Sequence, residues 1–316
     1  MSQPISRLNL IQRAMQRANL SREPDVAVAD TIEEAAVRPH LEPSRKPTNS
    51  VSSIRLREDE APQIVRLAEP VQLDRAKLQA SCVVMPDNKS SLTYNEFRSL
   101  KRKLIPMTCD AEGSTSRNLV MITSALPGEG KTFTTMNLAI VLAAEPNLNV
   151  ILVDGDVVQN SIAKYFQSES QDGLVDLLTG KRDNIEHVLH PCADLPRLHV
   201  LFAGKHDAAA PELLASRRMG DICTSLSQRF TRSIVLFDAP PVLAASEPAA
   251  MAAHVHHLVM LVAAGRTARS QVEAALDEVV CCPSISLLFN RSPEWEQPRS
   301  GVYGYYGYSA DKFRDE

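Results

Sequence analysis

The stretch ALPGEGKT (125–132) sits between an apolar run, NLVMIT (118–123), and a helical pattern, TFTTMNLAIVLAAE (132–145). Gly128 and Gly130 let the backbone turn its N–H groups toward bound oxygen atoms. The helix start adds its partial positive charge. Lys131 is placed to meet β- and γ-phosphate charge, and the Thr132 hydroxyl to coordinate Mg²⁺. The stretch is nearly GxxxxGK[ST], the phosphate-binding P-loop, with Ala125 where the first glycine would stand. Pro127, Gly128, Glu129, Gly130, Lys131, Thr132 and Phe133 are therefore the candidate nucleotide contacts. A glycine turn that merely caps a helix is the alternative reading.

Two further apolar runs end in carboxylates. VILVDGD (150–156) ends in Asp154 and Asp156, and SIVLFDAPP (233–241) carries Asp238. A carboxylate just past a buried strand is costly without a charged partner, and nucleotide-bound Mg²⁺ is a natural one. Each of these residues alone reads as a loop or cap residue. Together, beside a P-loop, they point to a metal–nucleotide site.

The elements that must position these residues are legible around them. HVLF (199–202), HLVMLV (257–262) and ISLLF (285–289) read as further buried strands. Residues 91–105, 211–230 and 268–280 carry helical spacing. Continuous apolar strands alternating with helices predict an α/β fold: a P-loop NTPase whose mostly parallel sheet has helices on both faces. In such sheets ligands bind at the carboxyl ends of the strands, where the motifs lie.

Composition narrows the class. The chain has 316 residues and a net charge of −4, which argues against nucleic-acid binding. Its six cysteines form no CxxC pair, so zinc and thioredoxin-type chemistry have no support. There is no cleavable signal pattern and no apolar run of roughly 20 residues, which predicts a cytoplasmic protein with reduced thiols. Ile5, Leu8, Ile11 and Met15 mark an amphipathic helix within 1–20. Residues 21–65, polar and punctuated by proline, read as a disordered linker. The globular domain is expected over 66–292. Residues 293–316 form a flexible tail holding four of the six tyrosines: Tyr303, Tyr305, Tyr306 and Tyr308. Interleaved glycine keeps those rings accessible. The tail is either a disordered end with a tyrosine bias or a substrate.

This motif set resembles the bacterial tyrosine kinases, the BY-kinase family. The resemblance runs from about residue 66 to the end through NEFRSLKRKL, SALPGEGKTFTTMNLA, ILVDGDV, GLVDLLTGK, ELLASRRM, FDAPPVLAASE and the tyrosine-rich tail. It is strongest to the tyrosine autokinases associated with exosortase and exopolysaccharide loci. It implies an ATP- and Mg²⁺-dependent protein-tyrosine kinase that phosphorylates its own tail in trans within an oligomer and regulates exopolysaccharide synthesis or export. By the same resemblance Lys131 binds phosphate, Thr132, Asp156 and Asp238 hold the metal, and either Asp154 or Asp156 takes the proton of the attacking tyrosine. Asn290 matches the position that holds the adenine base in related ATPases; as a turn residue beside Arg291 it has a plain structural reading too.

Two departures stand out. Val158, Gln159 and Asn160 follow the DxD motif where the family has an arginine. The family's oligomerisation motif, E-x-x-R-x-x-R, reads Asn95, Arg98 and Lys101 here, and lysine replaces arginine as a charge but not as a planar fork. The implied partners are further copies of the chain and a separate Wzz-like membrane chain-length protein that activates the kinase and recruits it to the membrane. Two rival readings are a MinD- or ParA-like ATPase switch that modifies no protein and a module that only senses ATP. The first usually carries an extra lysine where this chain has Ala125 and Leu126, and its membrane-binding version ends in a basic amphipathic helix.

Overall fold

The apolar runs marked by the sequence lie side by side in one seven-stranded sheet. The computed structural model describes residues 68–108, 117–167, 172–229 and 232–292; the helix, linker and tail expected over 1–20, 21–65 and 293–316 lie outside the described residues. In chain order the elements are β1 (Gln72–Leu73), α1 (Arg75–Ala80), α2 (Leu92–Thr108), β2 (Leu119–Ser124), α3 (Lys131–Ala143), β3 (Asn149–Asp154), β4 (Phe166–Gln167), α4 (Leu174–Leu178), β5 (Leu189–Cys192), β6 (Leu195–Leu201), α5 (Ala210–Leu213), α6 (Arg217–Gln228), β7 (Ser233–Asp238), α7 (Glu247–Ala252), β8 (His257–Ala263), α8 (Arg269–Glu278) and β9 (Ile285–Asn290).

The main sheet has the order β5-β6-β3-β7-β2-β8-β9. Every pairing in it is parallel except β5 with β6. Parallel strands need crossovers, and the strand–helix alternation supplies them. From β2 the chain moves through α3 to β3 and on to β6. It then returns to insert β7 between β3 and β2, and continues to β8 on the other side of β2. Strand order therefore reverses around β2 and β7, the switch at which such sheets open a ligand crevice.

Successive side chains of a strand point to opposite faces, and both faces are filled. On one face Val120, Ile122, Val150 and Leu152 meet α3 and α2. On the other Met121, Ile151, Val153 and Phe237 meet α4, α6 and α8. α3 is buried without a break from Thr134 to Ala143, because the sheet covers one side and α2 the other. A helix enclosed all round needs no polar stripe, and its second half, LAIVLA, has none. α2 is half-covered instead. Tyr94, Phe97 and Leu104 face the core, while Arg98, Arg102 and Lys103 face out.

The helix expected over 211–230 is two helices. Ser216 has extended backbone, donates its hydroxyl to the Leu213 carbonyl at 2.6 Å and caps the Met219 N–H, so it ends α5 and starts α6. Local side-chain capping outweighed continuous apolar spacing there. Among the described residues no helix is long and apolar enough to cross a membrane.

Candidate nucleotide and phosphoryl-transfer site

Three strand ends carry the site. β2 runs into the phosphate loop, its neighbour β7 ends in Asp238, and β3, on the far side of β7, ends in Asp154, which is paired in register with Asp238. The Gly155 N–H donates to the Asp238 carbonyl at 2.8 Å. A Cβ at Gly155 would stand 2.9 Å from that carbonyl and 2.8 Å from Met251 Cε, so DGD requires glycine at its centre. In the loop, Gly128 and Gly130 have φ of +77° and +99°, the left-handed region that glycine adopts without strain. Gly130 then caps α3, whose first residues are Lys131 and Thr132.

Charge at this end is crowded and buried. Asp154 is fully buried, and Asp156 and Asp238 nearly so. Burial raises all three carboxyls, taking Asp238 to about 6 and Asp154 well above the usual range; the neighbouring Asp238 charge pushes Asp154 further. Hydrogen bonds from the Thr132 and Thr135 hydroxyls pull Asp238 back down. Thr135 Oγ1 lies 3.1 Å from Asp238 Oδ1 and 2.9 Å from the Lys131 carbonyl, one proton between two acceptors. Burial lowers the half-buried Lys131, and the charges of Asp238, Asp156 and Glu129 oppose that shift.

One lysine facing three carboxylates would repel phosphate. The donor set consists of oxygen atoms, which suits a hard divalent cation. Asp154 supports the fit directly. Its Oδ2 accepts from the Ile162 N–H at 2.8 Å, but its Oδ1 is buried without a partner. The residues present therefore fit Mg²⁺, with Asp156, Asp238 and the Thr132 hydroxyl to hold it. Asp156 Oδ1 accepts from the Gln159 N–H at 3.0 Å, which fixes its orientation.

Glu129 behaves differently from the rest of the loop. Its side chain is turned inward and 3% of the residue is exposed. Oε2 accepts from the Leu126 N–H at 2.8 Å, Oε1 from the Ala263 N–H at 3.2 Å and from the Thr267 hydroxyl. Its carbonyl accepts from Asn290 Nδ2 at 2.7 Å. The Glu129 carboxylate, expected among the nucleotide contacts, is thus occupied inside the protein. Asn290 ends β9 and reaches the phosphate loop. Beside it a cavity of about 420 Å³ opens between α2, the first turn of α3 and the end of β9, lined by Phe97, Phe133, Leu288 and Asn290 among others.

Other expected residues lie elsewhere. Lys101 is paired with Glu145 at 2.5 Å within the chain and its side chain is 12% exposed, whereas Arg98 faces solvent. Tyr303, Tyr305, Tyr306 and Tyr308 lie outside the described residues. Tyr94 and Tyr165 are buried in the domain. Spacing gave no role to Thr135 or Glu247. Glu247 is buried at the start of α7, and its charge raises Asp156 further. Its signal was a carboxylate within FDAPPVLAASE, but only the fold brings it near Asp156. A larger cavity, about 570 Å³, opens beside α4 and α6. Arg218 there already donates to Asp183 and to the Leu177 and Arg182 carbonyls, so that cavity is held by structural contacts.

No family model matches the chain. It is similar to the tyrosine-protein kinase YwqD of Bacillus subtilis, at 27% identity over 234 residues, 73% of this chain and 93% of that one. It is 32% identical over 195 residues to the putative tyrosine-protein kinase EpsB of Ralstonia nicotianae, 62% of this chain and 24% of that one. The chain thus spans nearly all of one relative and about a quarter of the other. Among solved structures, the kinase domain of VpsO is similar over 63% of this chain and 96% of that one, with a TM-score of 0.53 and 26% identity. With a phosphate loop flanked by Asp154, Asp156 and Asp238 at the ends of parallel strands, and with these relatives, the chain is similar over most of its described residues to the bacterial tyrosine kinases, the BY-kinase family.

Proposed function

We propose that the chain is an ATP- and Mg²⁺-dependent protein-tyrosine autokinase. It transfers the γ-phosphoryl group to Tyr303, Tyr305, Tyr306 and Tyr308 of a neighbouring copy, and so regulates the synthesis or export of a polysaccharide. The observation that carries this reading is the convergence of Lys131, Thr132, Asp154, Asp156 and Asp238 on one crevice at the switch in strand order.

Phosphoryl transfer needs positioning and charge neutralisation more than covalent chemistry. The loop N–H groups and the α3 start receive phosphate oxygens, and Lys131 meets their charge. A bound Mg²⁺ would supply the positive charge that offsets charge developing on the phosphoryl group. Asp238, Asp156 and the Thr132 hydroxyl would hold that ion. The remaining task is the proton of the attacking tyrosine. Asp154 and Asp156 both stay assigned to it, although the complete burial of Asp154 favours Asp156 as the group an incoming ring reaches.

The acceptor assignment rests on exclusion within the chain. Tyr94 and Tyr165 are each 5% exposed, in α2 and in the turn before β4. Phosphorylating either would require opening the core. Homo-oligomerisation brings a neighbour's tail to the site, with Arg98 exposed for such a contact and Lys101 held by Glu145. A Wzz-like membrane chain-length protein activates the kinase and recruits it to the inner membrane face.

A mixing experiment tests this. A Lys131→Ala protein with its tail intact is combined with an active protein whose four tail tyrosines are phenylalanine. Mass spectrometry should place the phosphate on the tail of the inactive partner. Label confined to Tyr94 or Tyr165, or an unlabelled partner, would sink the trans-tail reading.

A further inference from the structure

The phosphate loop is held by groups that are not part of it. The Glu129 carboxylate joins the loop's first turn, through the Leu126 N–H, to the end of β8, through the Ala263 N–H and Thr267 hydroxyl. The Ala263 N–H is shared with Thr267 Oγ1, also at 3.2 Å. The Ala264 N–H donates to the Asn290 carbonyl at 2.9 Å, and the Asn290 amide returns to the Glu129 carbonyl at 2.7 Å. The result is a closed circuit of hydrogen bonds through the ends of β2, β8 and β9. A buried carboxylate is costly unless its oxygens are satisfied. Here three donors satisfy it, and none of the three is a cation.

We propose that Glu129 is a positioning residue for nucleotide binding, and that Thr267 is its partner outside the loop. The carboxylate sets the conformation in which the loop N–H groups face phosphate, and the β8–α8 turn holds the carboxylate in place. Gly130 shows how tight the arrangement is: a Cβ there would lie 2.3 Å from Asn290 Nδ2. Any movement of the 263–268 turn or of the β9 end is transmitted to the phosphate loop. This inference rests on reading that loop as the ATP site.

The test uses the full chain with Thr267→Val, Thr267→Ser and Glu129→Gln. Valine keeps the shape of threonine and removes the donor. Serine restores the donor. Glutamine offers a single acceptor oxygen where the carboxylate has two. Mg·ADP affinity is measured by calorimetry, KM and kcat for ATP by tyrosine phosphorylation, and folding by thermal unfolding. A hydrogen bond to a charged group is worth roughly a factor of ten or more in an equilibrium constant. Thr267→Val should therefore raise the Mg·ADP Kd and the KM for ATP by about ten-fold, with kcat at saturation changed less than about two-fold. Thr267→Ser should return both to near wild type, and Glu129→Gln should exceed the valine effect. Should Glu129→Gln fail to fold, the threonine pair still decides. Wild-type affinity in Thr267→Val, with the wild-type protein binding Mg·ADP, overturns the positioning role alone. No Mg·ADP binding by the wild-type protein overturns the ATP site and the inference with it.

Discussion

Charged groups are handled in opposite ways at the carboxyl ends of β2, β3 and β7 and on the outer surface around α4. Around α4, Arg182 meets Asp172 at 2.6 Å, Lys181 meets Asp207 at 3.2 Å and Arg218 meets Asp183 at 2.8 Å, all partly or well exposed. Such pairs lose little solvation and contribute little. At the strand ends, three carboxylates are buried against a single lysine, and one oxygen of Asp154 has no partner. Pairing for stability would not produce that arrangement. The surface charges are already complementary, whereas the buried ones become so when a cation and a phosphate chain complete them.

The contrast can be broken at the strand ends first. Lys131→Ala should lower autophosphorylation by roughly a thousand-fold or more, while thermal unfolding shows an intact fold. Persistent phosphotyrosine on the folded variant would show that the phosphate site lies elsewhere.

Asp238→Asn and Asp156→Asn should each lower activity by about two orders of magnitude at saturating Mg²⁺, since neutral oxygens hold the ion poorly. Asp238→Asn should at the same time leave the nucleotide-free protein as stable as wild type or more so, because a buried, crowded charge is removed. Calorimetry on the free protein checks this second half. A marked loss of stability would mean that Asp238 is paired for structure after all.

A buried titratable group remote from the site sharpens the comparison. Burial, with the Arg229 charge nearby, lowers His199 to about 4 from 6.5. The folded state therefore holds it neutral while the unfolded chain protonates. Its contribution to stability is intact above pH 6.5 and is lost as pH falls from 6.5 toward 4. The raised carboxyls of Asp154, Asp156 and Asp238 act with the opposite sign, so the His199 contribution is read as a fall in the wild-type denaturant midpoint relative to His199→Gln through that window. His199→Gln should flatten the slope only in part, because burial lowers His254, His256 and His257 too. An unchanged slope would remove His199 from the account.

The smallest effect belongs to the surface. Arg182→Ala should change unfolding free energy by less than about 1 kcal/mol and leave kinase activity untouched, by the same denaturation and phosphotyrosine assays.

Much of this was legible in the chain. NLVMIT, VILV and SIVLF lie within one residue of the observed β2, β3 and β7, because buried parallel strands are continuous apolar runs. The antiparallel edge strand β5 was missed: LHPC is short, mixed in character and carries a proline. The break between α5 and α6 was missed because one serine's capping bonds decide it.

The sequence by itself determined the buried parallel strands, the glycines of the phosphate loop and the carboxylates that follow apolar runs. These are local properties, set by periodicity, by φ and by what a strand end can solvate. Strand order belonged to the tertiary structure. By inserting β7 between β3 and β2, it set Asp238 in register with Asp154 and left one Asp154 oxygen unpartnered. It also carried Ala263, Thr267 and Asn290 to Glu129, across more than a hundred residues of chain. From its place in the loop Glu129 reads as a nucleotide contact. Only the parallel sheet, by gathering the carboxyl ends of distant strands at one edge, surrounded it with donors and turned it inward.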